Sequence, residues 1–119
     1  MTAHEQVWVK VNAPVDKGIA DLVSALALFP KLQTIESCQG TKGRAWVCFV
    51  YGEDWKELSN FVLGFIGPKI TREFGDRVDL SIRVAEAGTI RAEMELASES
   101  IPAIVGFLKK FRSQELAAA

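Results

Sequence analysis

Cysteine and histidine are scarce in this chain: two cysteines and one histidine among 119 residues. A structural zinc site needs four such ligands, and with His4 close to the N-terminus no metal site is expected. Net charge is also lacking, since 14 Lys and Arg face 15 Asp and Glu for a formal charge of -1. No global field then draws in a nucleic acid or an anionic membrane, so neither is an expected partner. No apolar run approaches the ~20 residues that cross a bilayer. Residues Met1 to Gln6 show no basic segment followed by an apolar core, and the expectation is a cytoplasmic protein. Repeats and low-complexity linkers are missing too. One α+β domain over residues 1–119 follows, because dividing so short a chain would leave neither half a core.

What is present is a globular composition, 49% hydrophobic and 24% charged, with clear periodicities. Residues 6–12 alternate, with Val7, Val9 and Val11 on one face and Trp8 and Lys10 on the other, as in a half-buried strand. Asp16 is a candidate N-cap for a helix reaching Phe29, whose stripe is Ile19, Leu22, Val23, Leu26 and Phe29. Strands follow over 32–37 and 44–51, the second apolar on both faces. Asp54 and Glu57 match a capping box, and Trp55, Leu58, Phe61, Val62 and Phe65 make the next helical stripe. Gly67-Pro68 is expected to interrupt that helix, leaving a short piece from Lys69 to Phe74. Residues 78–84 and 89–96 alternate cleanly around a Gly-containing turn and read as a hairpin. Ser100 is the expected cap of a last helix with the stripe Ile101, Ile104, Val105, Leu108 and Phe111, whose Lys109, Lys110 and Arg112 suit the negative end of its dipole.

The expected order is β-α-β-β-α-β-β-α: a two-layer sandwich of a mainly antiparallel five-stranded sheet with helices on one face. Its first six elements have the order of a ferredoxin-like split βαβ unit. If Trp8 and Trp46 share the helix-free face, they form an apolar patch suited to a homodimer. If the 78–96 hairpin sets Arg83 opposite Arg91, that like-charge pair calls for an anion or a diagonal Glu93.

The densest collection of chemical groups lies between Thr34 and Tyr51. Ser37, Cys38, Gly40, Thr41 and Arg44 crowd the turn between two strands and are the candidate ligand-binding residues; no catalytic residue is assigned. Pairing across this turn sets Cys38 opposite residues 44–46 and Cys48 opposite residues 34–36, so the two thiols do not meet and no disulfide is expected. A purely structural reading also accounts for the turn: Gly40 and Gly43 supply positive φ, Cys38 is a small buried hydrophobe, and Lys42 and Arg44 are a solvated tip.

The Cys38-x5-Arg44 spacing resembles that of protein tyrosine phosphatases, whose thiolate attacks a phosphoryl group held by the arginine. Those enzymes place a helix after the arginine. Here Ala45 to Tyr51 form a strand, Ser37 precedes the cysteine, and Glu36 opposes a thiolate. A second likeness runs from Ile19 to Val47. Thr34, Ser37, Cys38 and Gly40 match the Thr-x-Ser-Ser-Cys-Ser-Gly-Arg motif of the wybutosine-type tRNA methyltransferases, also set between a helix and a strand. Glu36 replaces a serine of that motif, and the arginine comes later, at Arg44. The resemblance implies a pocket for S-adenosylmethionine or a modified nucleoside at this turn. The chain is also similar to small uncharacterised actinobacterial and phage-type proteins with the same Ser-Cys-x-Gly turn, which implies no activity. The leading expectation is ligand or partner binding at the Ser37–Arg44 turn without catalysis. The alternatives are an RNA-modification or nucleotide-handling enzyme and a purely structural dimer.

Overall fold

The computed structural model describes residues 6–8, 14–40, 43–85 and 88–118. Its centre is β4 (Arg44–Tyr51), which has sheet neighbours on both sides. Ala45, Val47 and Phe49 project from β4 into the core and are fully buried. Beside them stand Ala92, Met94 and Leu96 of β6 (Ile90–Ala97), also fully buried. With β3 (Leu32–Cys38) and β5 (Val78–Val84) they form a four-stranded sheet of order β3-β4-β6-β5, every neighbouring pair antiparallel.

Four helices lie on one side of this sheet: α1 (Ala20–Leu26), α2 (Trp55–Phe61), α3 (Gly67–Phe74) and α4 (Ile101–Ala118). The expected stripes are buried at Leu22, Val23 and Leu26 on α1, Leu58 and Phe61 on α2, and Ile104 and Leu108 on α4, but Trp55, expected on the α2 stripe, stands exposed at the first position of that helix. An aromatic chain ties the layers, with Phe61 edge-on to Phe29 at 5.6 Å and stacked on Tyr51 at 4.0 Å. The two-layer α+β arrangement with helices on one face is therefore present.

The five-stranded sheet and its ferredoxin-like order are not present among the described residues. Among the described residues the first strand, β1 (Gln6–Trp8), pairs antiparallel with β2 (Pro14–Asp16) in a separate two-stranded sheet. A split βαβ unit needs neighbouring parallel strands, and this sheet has none. Val9, Lys10, Val11 and Asn12 lie outside the described residues, so the expected strand over 6–12 is seen only at its start.

Two local corrections have clear causes. Asp16 precedes a short 3₁₀ turn at 17–19 and makes no side-chain cap; its carboxylate is spent elsewhere, on the amide of Gln39. Gly67-Pro68 does not interrupt the second helix. Instead the chain widens into a π turn at Val62–Ile66 and continues as α3. Proline has no N–H and its ring crowds the carbonyl four residues back, and a turn of five-residue spacing relieves both. The Gly67 N–H bonds back to the Val62 carbonyl, and a Cβ on Gly67 would lie 2.2 Å from that oxygen, so only glycine fits.

The Asp54 cap is present, its carboxylate accepting from the N–H groups of Lys56 and Glu57 at 3.0 Å. Glu57 reaches one residue beyond the usual box, accepting from the Glu53 N–H and from Lys31 at 3.2 Å. Those two partners hold the Glu57 carboxyl below its ordinary range.

Candidate functional site

The turn after β3 is built by exchange with the segment that precedes α1. Asp16, buried at 6% exposure, accepts the Gln39 N–H at 3.1 Å, and the Gln39 side chain accepts the Gly18 N–H at 2.8 Å. On the other side the Ser98 hydroxyl donates to the Gln39 carbonyl at 3.4 Å and the Ser98 N–H to the Gly43 carbonyl at 2.7 Å. Gly40 sits at φ 78° with the Arg44 carbonyl 1.5 Å from where a Cβ would stand, so no other residue fits that close approach. The polar groups of this turn are thus largely consumed in joining three segments of one chain.

Its candidate residues do not converge. Cys38 stands opposite Trp46 and Ser37 opposite Val47, so they point to different faces of the sheet. The half-buried Cys38 thiol accepts the Gly40 N–H at 3.3 Å. Thr41, with Lys42, lies outside the described residues. Arg44 turns away from β3, its guanidinium 3.0 Å from Glu95 of β6 and 3.6 Å from Asp79 of β5. The arginine of the Cys-x5-Arg spacing therefore clamps two carboxylates of its own chain, and the strand β4 follows it where a phosphatase has a helix.

Arg44 belongs to a charge ladder over the helix-free face of the sheet. Arg83 stands opposite Arg91 and meets the diagonal Glu93 at 2.8 Å, while Arg91 meets Glu36 at 3.2 Å. Glu36 reaches that face because β3 carries a bulge between Thr34 and Glu36. Without the extra residue, strict alternation from buried Leu32 would aim Glu36 at the core. Cys48 lies beneath the ladder, 3% exposed, with its thiol 4.0 Å from Glu93. Burial pushes that thiol up, against the opposing pull of Arg91. Cys48 faces Glu36 rather than Cys38, and neither cysteine is in a disulfide.

A different arrangement occupies the far side of the molecule. Between α3 and α4 runs a cleft of about 500 Å³ whose walls carry Lys69, Arg72 and Lys110 and whose apolar lining includes Phe74, Phe107 and Phe111. The spacing explains the walls. On α3, Ile70 and Phe74 fill the core side, which leaves Lys69 and Arg72 on the open side; on α4, Ala103, Gly106, Phe107 and Lys110 share one face. The Lys69 ammonium stands 5.2 Å above the Phe111 ring, and Phe107 packs edge-on against Phe74 at 5.4 Å. None of these three cations is in an ion pair among the described residues, and the single carboxylate of the lining, Glu73, pairs with none of them. Gly106, in the middle of α4, has nothing within 4 Å of a would-be Cβ, so packing does not require a glycine there.

Sequence reasoning missed this cleft. It grouped Lys109, Lys110 and Arg112 as complements to a helix dipole, whereas Arg112 donates to the Leu28 carbonyl at 2.9 Å and Lys110 lines the cleft. The available signal was Gly106, a poor helix former inside a strongly periodic helix.

Among the described residues no group of three or more His, Cys, Asp or Glu could hold a metal ion, and no helix is long and apolar enough to cross a membrane. The fold is that of a two-layer α+β domain. Compared with protein-family models, curated proteins and solved structures, the chain matches none.

Proposed function

We propose that this protein is a binding domain without catalysis, and that its site is the α3–α4 cleft rather than the Ser37–Arg44 turn. The ligand is a small anion with an aromatic or aliphatic body: its phosphate or carboxylate meets Lys69, Arg72 and Lys110, and its body lies on Phe107. The supporting observation is three cations without ion-pair partners around one apolar floor. Unpaired cations beside aromatic surface leave their electrostatic attraction for a ligand, and a cleft of about 500 Å³ is of the size that takes one. Gly106 keeps the floor open on the α4 side.

Titration calorimetry with adenosine monophosphate, and fluorescence titration with anilinonaphthalene sulfonate, test the reading. At least one of the two anions is expected to bind, more weakly as salt is raised, and to be lost in a Lys69→Ala/Arg72→Ala/Lys110→Ala variant. No binding of either, or binding unchanged by the triple substitution, sinks the proposal. S-adenosylmethionine belongs in the same titrations, because the Thr34–Gly40 resemblance implies it at the turn. Its binding, if abolished by Cys38→Ala and indifferent to the triple substitution, would return the site to Ser37, Cys38 and Gly40.

A further inference from the structure

The two edges of the sheet are finished differently. The β3 edge is broken by the bulge at residue 35, and Gln39 at its end is tied to Asp16 of β2. Bulges and covering segments are the usual means of keeping an edge from pairing with another chain. The β5 edge has no such device. Val78 to Val84 pair with β6 without a register shift, contain no proline or lysine, and among the described residues have no strand on their other side. Both of its charges, Asp79 and Arg83, point to the outer face and are exposed.

We propose that two copies of this chain pair antiparallel along β5, about a two-fold axis through Ser81, to form one continuous eight-stranded sheet. The sequence of β5 is self-complementary about that residue. With Ser81 opposite Ser81 of the second copy, Asp79 faces Arg83 of the second copy, twice by symmetry. On the inner face Leu80 meets Ile82 and Val78 meets Val84. The charge ladder then crosses the axis without a break, from Glu95 through Arg44 and Asp79 to Arg83 and Glu93 of the second copy, alternating in sign at every step. A shift of one residue in either direction would oppose a charge to an apolar side chain and lose both matches.

The same pairing covers apolar surface the monomer leaves open. Leu63 and Val84, at 68% and 73% exposure, are the two most exposed large hydrophobic residues described. Leu63 lines a groove of about 650 Å³ along the helix side of β5 with Pro68, Val78 and Leu80. Ile82 and Val84 of the second copy, standing opposite Leu80 and Val78, lie over that groove. Main-chain hydrogen bonds supply attraction along the edge, and the Asp79–Arg83 match sets direction and register.

Sedimentation equilibrium and charge reversal test the pairing. The wild-type chain is expected to show a reversible monomer–dimer equilibrium. Asp79→Arg and Arg83→Asp, each of which sets like charges opposite one another, are expected to be monomers. An equimolar mixture of the two restores a dimer, because every opposed pair is again of unlike sign. A wild-type chain monomeric up to ~1 mM overturns the proposal, as does a dimer that neither reversal dissociates. Should either variant fail to give a folded circular dichroism spectrum, Ser81→Cys in a Cys38→Ser background decides. A residue on the axis is expected to close a symmetric disulfide on mild oxidation, and Ile35→Cys on the bulged edge is not. Equal cross-linking at both edges, or none at residue 81, overturns it.

Discussion

On the outer face of the sheet Arg44, Arg83 and Arg91 each have a carboxylate within 3.2 Å; in the α3–α4 cleft Lys69, Arg72 and Lys110 have none among the described residues. The two regions draw on the same kinds of side chain. They differ in what those side chains sit on. β strands place a residue of one strand directly opposite, and diagonal to, residues of the next, so a charge finds its complement within the sheet. Here two packed helices offer their cations to solvent over a groove, with no strand opposite to supply a counter-charge. A cluster of polar residues in a sequence therefore says little about binding until its internal partners are known. The turn at Ser37–Arg44 is an instance, since Gln39, Gly43 and Arg44 are engaged by groups of the same chain.

Substitutions can set the two regions against each other. The largest effect is expected at Gly40. Gly40→Ala demands a positive φ of a residue with a Cβ and drives that atom into the Arg44 carbonyl, at a cost on the order of 3 kcal/mol or more. Urea unfolding should show the loss, while the folded fraction keeps its affinity for the anionic probe. Asp16→Ala comes next. It strands the Gln39 N–H and opens a buried site, for about 2 kcal/mol, again without effect on the cleft. A turn that also served as the ligand site would lose binding in both variants.

The cleft should behave in the reverse way. Removing Lys69, Arg72 and Lys110 together is expected to change stability by no more than ~1 kcal/mol, mainly through the Lys69–Phe111 contact. The same change should weaken the probe by tenfold or more, about 1.4 kcal/mol. Gly106→Ala is the sharper case, because its two effects have opposite sign. Alanine is the better helix former by about 1 kcal/mol, so the melting temperature should rise. The added methyl group has open space on the cleft side and should reduce probe affinity. A rise in both stability and affinity would mean that Gly106 does not keep the cleft open for a ligand.

How much of this was legible in the sequence follows from the range of each signal. Strands 44–51 and 78–84, the Asp54 cap and the buried stripes depend on neighbours a few residues away, and they stand as expected except at Trp55, which the first turn of its helix leaves exposed. The pairing of Cys38 with Trp46 and of Arg83 with Arg91 was also accessible, because a short turn dictates both registers. The placing of the first strand was not. Whether Gln6–Trp8 joins the main sheet depends on what the whole sheet leaves uncovered, and β2 captures it first. Pro68 misled because its cost was assigned to a break, whereas one π turn absorbs it. Apart from the hint at Gly106, the cleft was not legible because its walls come from residues 69–74 and 103–111, which share no sequence motif, and because ion pairing is a property of partners rather than of residues.

The smallest expected effect concerns Cys48, which lies under the charge ladder. Burial raises this thiol above its ordinary value of 9.0, and Arg91 partly offsets the rise. The folded chain therefore holds the proton more tightly than the unfolded chain. Below the unfolded value both states are protonated and the contribution to stability is fully present. As pH climbs from there toward the folded value, only the unfolded state releases its proton, and stability falls. Urea midpoints measured between about pH 8 and about pH 10 should decline, and Cys48→Ala should flatten that part of the decline. Arg91→Gln sharpens the test, because it removes the cation that favours the thiolate and also frees Glu36 of its partner. The Cys48 contribution should then keep falling to a higher pH than in the wild-type chain. A slope that Cys48→Ala leaves unchanged would mean that this thiol titrates alike in both states, and that the ladder above it does not keep water away.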